Sequence, residues 1–395
     1  MKPELSFPEF NREWEYNLFS EIVTNKSKRF DPKNEESLKD IELDSIEQNT
    51  GRLLNTYMSK DFTSQKNKFD KGSVLYSKLR PYLNKYYYAK IDGVCSSEIW
   101  VLNSLYSQKL SNLFLYYFIQ TNRFSNVANK SAGSKMPRAD WSLVENIRLY
   151  KGSIEEQRKI GDFFSKLDQQ IELEEKKLEL LEQQKRGYMQ KIFFQELRFK
   201  DGNGNNYSEW IKTNLKFLVS YKNGKGYEKE VVQNGKYNII NLNSISTKGM
   251  LKDSGKYTDF EDITLKKNDL IMILSDVAKG NLIGKTAIID QDDKYLLNQR
   301  VASLRIKDES TSNVLFIYYF INYFRQYFIN MSTGMSQLNI NKSTVEDFLI
   351  YLPYIEEQDK IGNFFSNLDK SIIKQLDKIE LLKERKKGFL QKMFV

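Results

Sequence analysis

The chain contains no histidine and only one cysteine, Cys95. The first absence removes the commonest general base, the triads built on it, and most zinc sites. The second rules out a disulfide within the chain and points to a reducing compartment, the cytoplasm. The longest apolar runs, 113–119 and 315–321, fall far short of the ~20 residues a membrane helix needs, so no membrane segment is expected. The N-terminal stretch MKPELSFPEFNREWEYN is polar and carries an acid at Glu4, unlike a secretory signal.

What the chain does have is a long internal repeat. Residues 154–193 read IEEQRKIGDFFSKLDQQIELEEKKLELLEQQKRGYMQKIF, and residues 355–394 read IEEQDKIGNFFSNLDKSIIKQLDKIELLKERKKGFLQKMF. The offset is 201 without a gap, and 22 of 40 positions are identical, so the chain is a duplicated unit. Apolar residues recur at Ile160, Phe164, Leu167, Ile171, Leu178, Leu181, Tyr188 and Ile192, in a and d heptad steps. The second copy keeps the frame with Ile361, Phe365, Leu368, Ile372, Ile379, Leu382, Phe389 and Met393. Polar residues interrupt the seam at matching places, Glu174 with Gln375 and Lys185 with Lys386, and such positions fix register at a cost in stability. Unbroken from Glu156 to Phe193, the helix would reach about 57 Å, too long to bury its stripe on one small domain. The other copy is the expected partner, in an antiparallel pair. A second apolar edge, Phe163, Leu173 and Leu180 or Phe364, Ile373 and Leu381, predicts further helices from partner proteins, though a wide seam within one chain could also use it.

The segments between the helices are related too. Ile-x-Leu-x-Ser-Ile stands at 41–46 and again at 240–245, each followed by Gly-x-Leu. LFLYYFI at 113–119 matches LFIYYFI at 315–321, and Ser131-Ala-Gly-Ser matches Ser332-Thr-Gly-Met. Short β-type runs dominate the interiors, while the LFxYYFI segments read as helical. The division is therefore domain 1–153, helix 154–199, domain 200–354 and helix 355–395. The expected class is α+β: two mixed α/β domains separated by two long antiparallel coiled-coil helices in a pseudo-two-fold arrangement.

Charge follows the same division. The net of +9 comprises +5 from residues 1–153, +3 from 200–354, −1 from 154–199 and +2 from 355–395. A basic excess confined to the two domains suits a polyanion held at two points, although a lysine-rich composition alone would look similar.

Catalytic motifs are missing. None of the six prolines makes the Asn/Asp-Pro-Pro-aromatic motif of adenine methyltransferases, and no glycine-rich loop has dinucleotide spacing. KGNLIGKT at 279–286 ends like a phosphate loop, but Gly280 is one residue too close to Gly284 and a strand-like run follows, so it reads as a turn. No metal site is expected. Polar, basic loops in equivalent places are better candidates for nucleic-acid contact. They comprise Lys28 and Arg29; Lys78, Arg80 and Tyr82; Ser134, Lys135 and Arg138; Lys222 and Lys225; Lys279; and Ser336, Gln337 and Asn339. Arg and Lys can reach guanine O6 and N7, while Gln and Asn pair bidentately with adenine.

The alternation of a divergent domain with a repeated helix, the segments IEEQRKIGDFFSKLD and IEEQDKIGNFFSNLD, and QKIFFQELRFKDGNGNNYSEW together resemble the specificity (S) subunits of type I restriction–modification systems. YLPYIEEQ at 351–358 is similar to that family's approach to the helix, whereas LYKGSIEEQ at 149–157 lacks the proline. The resemblance covers essentially the whole chain. It implies a non-enzymatic DNA-recognition subunit whose two domains each read one half of a bipartite, asymmetric duplex target. The helices would set the gap, and Ile160, Phe163, Phe164, Leu167, Ile171, Leu178 and Leu181, with Ile361, Phe364, Phe365, Leu368, Ile372, Ile379 and Leu382, would serve the helix pair and the docking of two adenine methyltransferase (M) subunits. Restriction/translocase (R) subunits would complete the nuclease. S-adenosylmethionine, ATP and Mg would serve those partners, with no cofactor in this chain. The alternative is a coiled-coil adaptor whose basic domains bind nucleic acid without sequence preference.

Overall fold

The computed structural model describes residues 1–130, 136–277 and 282–395. It divides into two compact units, Met1–Lys176 with Leu376–Val395, and Lys177–Gln375. The division falls inside both long helices, which run unbroken over Ile154–Phe193 and Ile355–Met393. Each unit therefore holds one globular domain, the first part of one helix and the last part of the other. Both units are α+β, as the sequence predicts.

In the first unit a four-stranded antiparallel sheet has the order Val23–Thr24, Ile99–Ser104, Val74–Ser77, Tyr86–Tyr88. The second unit repeats it with Val219–Asn223, Val301–Ile306, Leu270–Ile273 and Thr286–Ile288. A second sheet in each contains one parallel pair, Lys39–Ile41 with Gly93–Cys95 and Tyr237–Ile240 with Tyr295–Leu297. The first unit adds two strands to that sheet, Arg29–Phe30 and Lys66–Phe69. The fully buried Lys66 there is paired with Asp40 at 3.0 Å. The central strands, Val74–Ser77, Ile99–Ser104, Leu270–Ile273 and Val301–Ile306, are the apolar β-branched and aromatic runs, and they bury nearly every side chain on both faces.

The shared sequence anchors are shared contacts. In Ile-x-Leu-x-Ser-Ile the serine hydroxyl accepts a backbone N–H three residues upstream, Glu42 to Ser45 at 3.0 Å and Asn241 to Ser244 at 2.9 Å. The following Gly51 and Gly249 have φ of +72° and +81°, and a Cβ on Gly51 would lie 1.9 Å from the Tyr116 hydroxyl. The LFxYYFI segments are the helices Asn112–Phe118 and Val314–Tyr323, packed on the sheets.

The lead-in IEEQ ties each long helix to its domain. Gln157 accepts from the Ser111 N–H at 3.0 Å and donates to the Lys109 and Gly152 carbonyls, each at 3.0 Å. Gln358 does the same with Asn313, Thr311 and Pro353. Beside it, buried Glu357 accepts from the Trp210 indole at 3.2 Å and pairs with Arg198 at 2.7 Å.

Within each unit the two helix segments run antiparallel. Phe164 packs on Tyr117 at 5.1 Å and on Phe394 at 6.0 Å, while Phe365 packs on Tyr319 at 5.3 Å and Phe193 at 5.7 Å. The polar seam lysines have a specific task. Lys386 pairs with Asp168 at 2.7 Å, and Asp168 also accepts the Tyr117 hydroxyl at 2.9 Å. Lys185 pairs with Asp369 at 2.6 Å, and Asp369 accepts the Tyr319 hydroxyl at 2.7 Å. Burial, reinforced by the neighbouring aspartate, pushes both tyrosine hydroxyls far above their ordinary range, so they remain donors.

The second apolar edge is partly covered by the chain itself. Phe163 meets Phe7 and Phe389, and Phe364 meets Tyr188 and Phe199. Leu173, Leu180, Ile373 and Leu381 remain exposed.

Helix glycines separate into two kinds. A Cβ on Gly362 would stand 2.7 Å from Leu315 Cβ, but one on Gly388 would meet nothing within 4 Å. Gly388→Ala should therefore stabilise the fold by roughly 0.5–1 kcal/mol through helix propensity. Gly362→Ala should destabilise it by about 1–3 kcal/mol through overpacking. Denaturant unfolding of the two variants checks the opposite signs.

Candidate nucleic-acid interface

The candidate loops lie far apart in sequence, and the β ladders bring them together at one end of each four-stranded sheet. In the first unit the Ser77 strand end runs on to Leu79, which forms an isolated bridge with Arg138. Around it the Ala139 N–H donates to the Lys78 carbonyl at 2.7 Å and the Arg80 N–H to the Pro137 carbonyl at 2.8 Å. The Lys78 N–H donates to Glu98 at 3.0 Å, placing the residue before strand Ile99–Ser104 in the same group. Arg138 pairs with the Glu98 carboxylate at 3.0 Å. On the neighbouring side, Arg29 donates to Asn67 at 3.0 Å, and Asn67 donates to the Ile99 carbonyl at 3.1 Å. Arg80 has φ +52° and introduces the 3₁₀ turn Pro81–Leu83, which carries exposed Tyr82.

The second unit builds the same edge. Ser275–Val277 continues from the sheet and pairs with Gln337–Asn339, so Ser275 faces Asn339 as Leu79 faces Arg138. Gln337 donates its amide to the Ser275 hydroxyl. Thr333 and Asn339 exchange backbone hydrogen bonds of 2.9 Å, closing a short hairpin on which Gly334 takes φ +116°. Ser336 lies exposed near its tip. Strand Val219–Asn223 ends beside Ala302, and the Gly224 N–H donates to the Val301 carbonyl at 3.1 Å. That approach requires glycine, because a Cβ there would sit 1.9 Å from the Asn298 carbonyl oxygen.

Charge at the two edges is partly committed. Lys225 is paired with Asp262 at 2.6 Å, and that hydrogen bond helps hold the Asp262 carboxyl down to about 2. Arg138 is held by Glu98, which raises its pKa further. Lys28, Lys78, Arg80 and Lys222 have no side-chain hydrogen bond or ion pair among the described residues, which leaves them available to phosphates. Ser134, Lys135 and Lys279 lie outside the described residues. Of the phosphate-loop-like segment, Leu282–Lys285 form a turn leading into strand Thr286–Ile288, so the helix a phosphate loop requires is not there.

Four polar residues of these edges escape motif reading: Asn67, Glu98, Ser275 and Arg300. Glu98 and Arg300 occupy the same place, immediately before the central strand, since the Leu274 N–H donates to the Arg300 carbonyl at 2.9 Å just as Lys78 does to Glu98. The alternating pattern of a short strand start was the only signal, and it does not single out the residue before it.

One cation in the second unit is perturbed. Burial, with the charges of Arg325 and Lys185, pulls the Lys285 ammonium down from 10.5 to about 8. The folded chain therefore releases this proton at lower pH than the unfolded chain does. Stability should rise between about pH 8 and 10.5, where only the unfolded state keeps the proton, and be lowest for this group below pH 8. Lys285→Met should flatten that rise; unfolding midpoints measured across the range test it.

Comparison with known proteins follows the same two-part division. The family model for the type I restriction modification DNA specificity domain matches residues 11–183 and again residues 207–383. The specificity subunit of the type I restriction enzyme MjaVIII from Methanocaldococcus jannaschii is 26% identical over 309 residues, 75% of this chain and 72% of that protein. The EcoDI specificity subunit from Escherichia coli is 28% identical over 156 residues, 39% of this chain and 34% of that protein. Among solved structures, the type I restriction–modification S subunit from M. genitalium is similar with a TM-score of 0.63 at 15% identity, covering 100% of this chain and 99% of that one. A chain from a type I R-M system, described for its complex assembly and conformational transition, gives 0.61 at 15% identity, covering 97% and 98%. At that identity the structural likeness concerns the fold.

Proposed function

This chain belongs to the type I restriction–modification DNA specificity family, and we propose that its two domains each read one half of a split duplex DNA target. It is a non-catalytic specificity subunit. The observation that carries the reading is the pair of equivalent sheet edges, alike in backbone and different in chemistry. One presents Arg29, Lys78, Glu98 and Arg138; the other presents Lys222, Ser275, Arg300, Gln337 and Asn339. A backbone scaffold shared by the two units but displaying different donor and acceptor sets suits two different half-sites.

The long helices set the gap between the half-sites, with centres about one duplex turn, ~10 bp, apart if both domains address one face. The exposed Leu173, Leu180, Ile373 and Leu381 would receive helices of two adenine methyltransferase subunits. Restriction/translocase subunits join that complex in the cytoplasm. S-adenosylmethionine, ATP and Mg serve these partners.

Methylation mapping in cells that express the chain with its methyltransferase should reveal one bipartite motif. Salt-sensitive DNA binding without any sequence preference would instead match a coiled-coil adaptor. Exchanging residues 1–153 for another such domain should change one half of the motif only. Lys222→Ala should weaken binding evenly across sequences and reduce the slope of log affinity against log salt by about 1.

A further inference from the structure

Seven non-glycine residues among those described have positive φ. Four are Asn or Asp, which tolerate the left-handed region through local hydrogen bonds. Of the other three, two are arginines, one at each candidate edge: Arg80 at φ +52° and Arg300 at φ +69°. Arg80 already stands among the residues a basic loop singles out. Arg300 does not, and its setting is the more constrained.

The turn Asn298–Arg300 is held from both sides. Gly224 lies against the Asn298 carbonyl so closely that no Cβ would fit. The Gln299 N–H donates to the Lys225 carbonyl at 2.8 Å, and its side-chain amide donates to Glu228 at 2.7 Å. The Arg300 carbonyl accepts from Leu274 at 2.9 Å. A conformation that arginine adopts unwillingly is thus imposed by the ladder around it, and such imposed strain collects at functional positions. The side chain gains nothing visible in return: it is exposed and has no hydrogen bond or ion pair among the described residues. Its equivalent in the first unit, Glu98, is occupied by Arg138, whereas the second unit has Asn339 at that partner position and leaves Arg300 open.

We propose that Arg300 reads a guanine in the half-site engaged by residues 200–354, an inference that rests on the DNA-reading function above. The guanidinium is a planar fork of donors that matches guanine O6 and N7 in the major groove. A phosphate contact needs only a reachable positive charge, which Lys222 supplies from a relaxed strand. Holding an arginine in a fixed, strained turn beside Ser275, Gln337 and Asn339 serves a contact that depends on direction.

The test uses the complete complex of this chain with its methyltransferase, scored by modification of a randomised target library. Arg300→Gly removes the fork and at the same time suits the left-handed backbone, so folding is not put at risk. The expected result is a loss of discrimination of about ten- to a hundredfold at one base pair, a guanine in one half-site, with the other half intact. The unfolding midpoint should be unchanged or higher. Unaltered discrimination in Arg300→Gly, an even weakening across all positions, or a change in the other half overturns the assignment while leaving the DNA-reading function standing. A wild-type complex that modifies no split motif overturns both.

Discussion

In each unit a lysine from one long helix, an aspartate from the other and a tyrosine from the globular domain meet at a single point. Lys386, Asp168 and Tyr117 form one such point, and Lys185, Asp369 and Tyr319 the other. Three separate stretches of chain are thereby fixed in register, which apolar packing alone would leave free to slide by a turn. The groups are half-buried, with the lysines the more covered, so the pairs are only partly screened by water. Their value lies less in net stability than in uniqueness, because an apolar replacement of similar size often costs nothing in stability. That accounts for two lysines standing in seams otherwise made of Ile, Leu and Phe.

With the register fixed, the domains can vary where they face outward. The hydrogen bond from Leu274 to Arg300 and that from Lys78 to Glu98 are the same ladder rung, made entirely by backbone. The side chain above the rung is then free to carry either sign of charge. The same holds one strand away, where Arg138 and Asn339 occupy equivalent bridges. Acid, base and amide are interchangeable there because none of them bears on the core.

How much of this is legible in the sequence differs between the two regions for a physical reason. The helices repeat at a fixed offset, and the heptad steps name their buried residues directly; Ile160, Phe164, Ile361 and Phe365 are all buried. The α+β class and the shared framework also show, because serine, glycine and tyrosine anchors do the same bonding in both units. Coverage of Phe163 by Phe7 and of Phe364 by Phe199 does not show, since the covering residues lie outside the repeat. The candidate edges are visible only as separate basic loops. Arg29 with Asn67 and Glu98 with Arg138 are joined across 38 and 40 residues by strand pairing that no local pattern announces. Arg300 is the least legible, because left-handed turns are normally signalled by glycine or asparagine.

The separation of the helix register from the outward-facing edge also explains why the strained residue is tolerable. A left-handed non-glycine residue costs on the order of 1–3 kcal/mol, and it persists only if its surroundings outweigh that cost. At Arg300 the surroundings are backbone hydrogen bonds and a glycine contact, none of which involves the guanidinium. Replacing that side chain therefore leaves every rung intact, and glycine there also relieves the left-handed strain, so the change costs the fold nothing. Replacing Asp369 removes the common partner of Lys185 and Tyr319 and leaves two donors without their acceptor. Side chains can change at the sheet edge at little cost in stability, whereas the three-way junction must be kept.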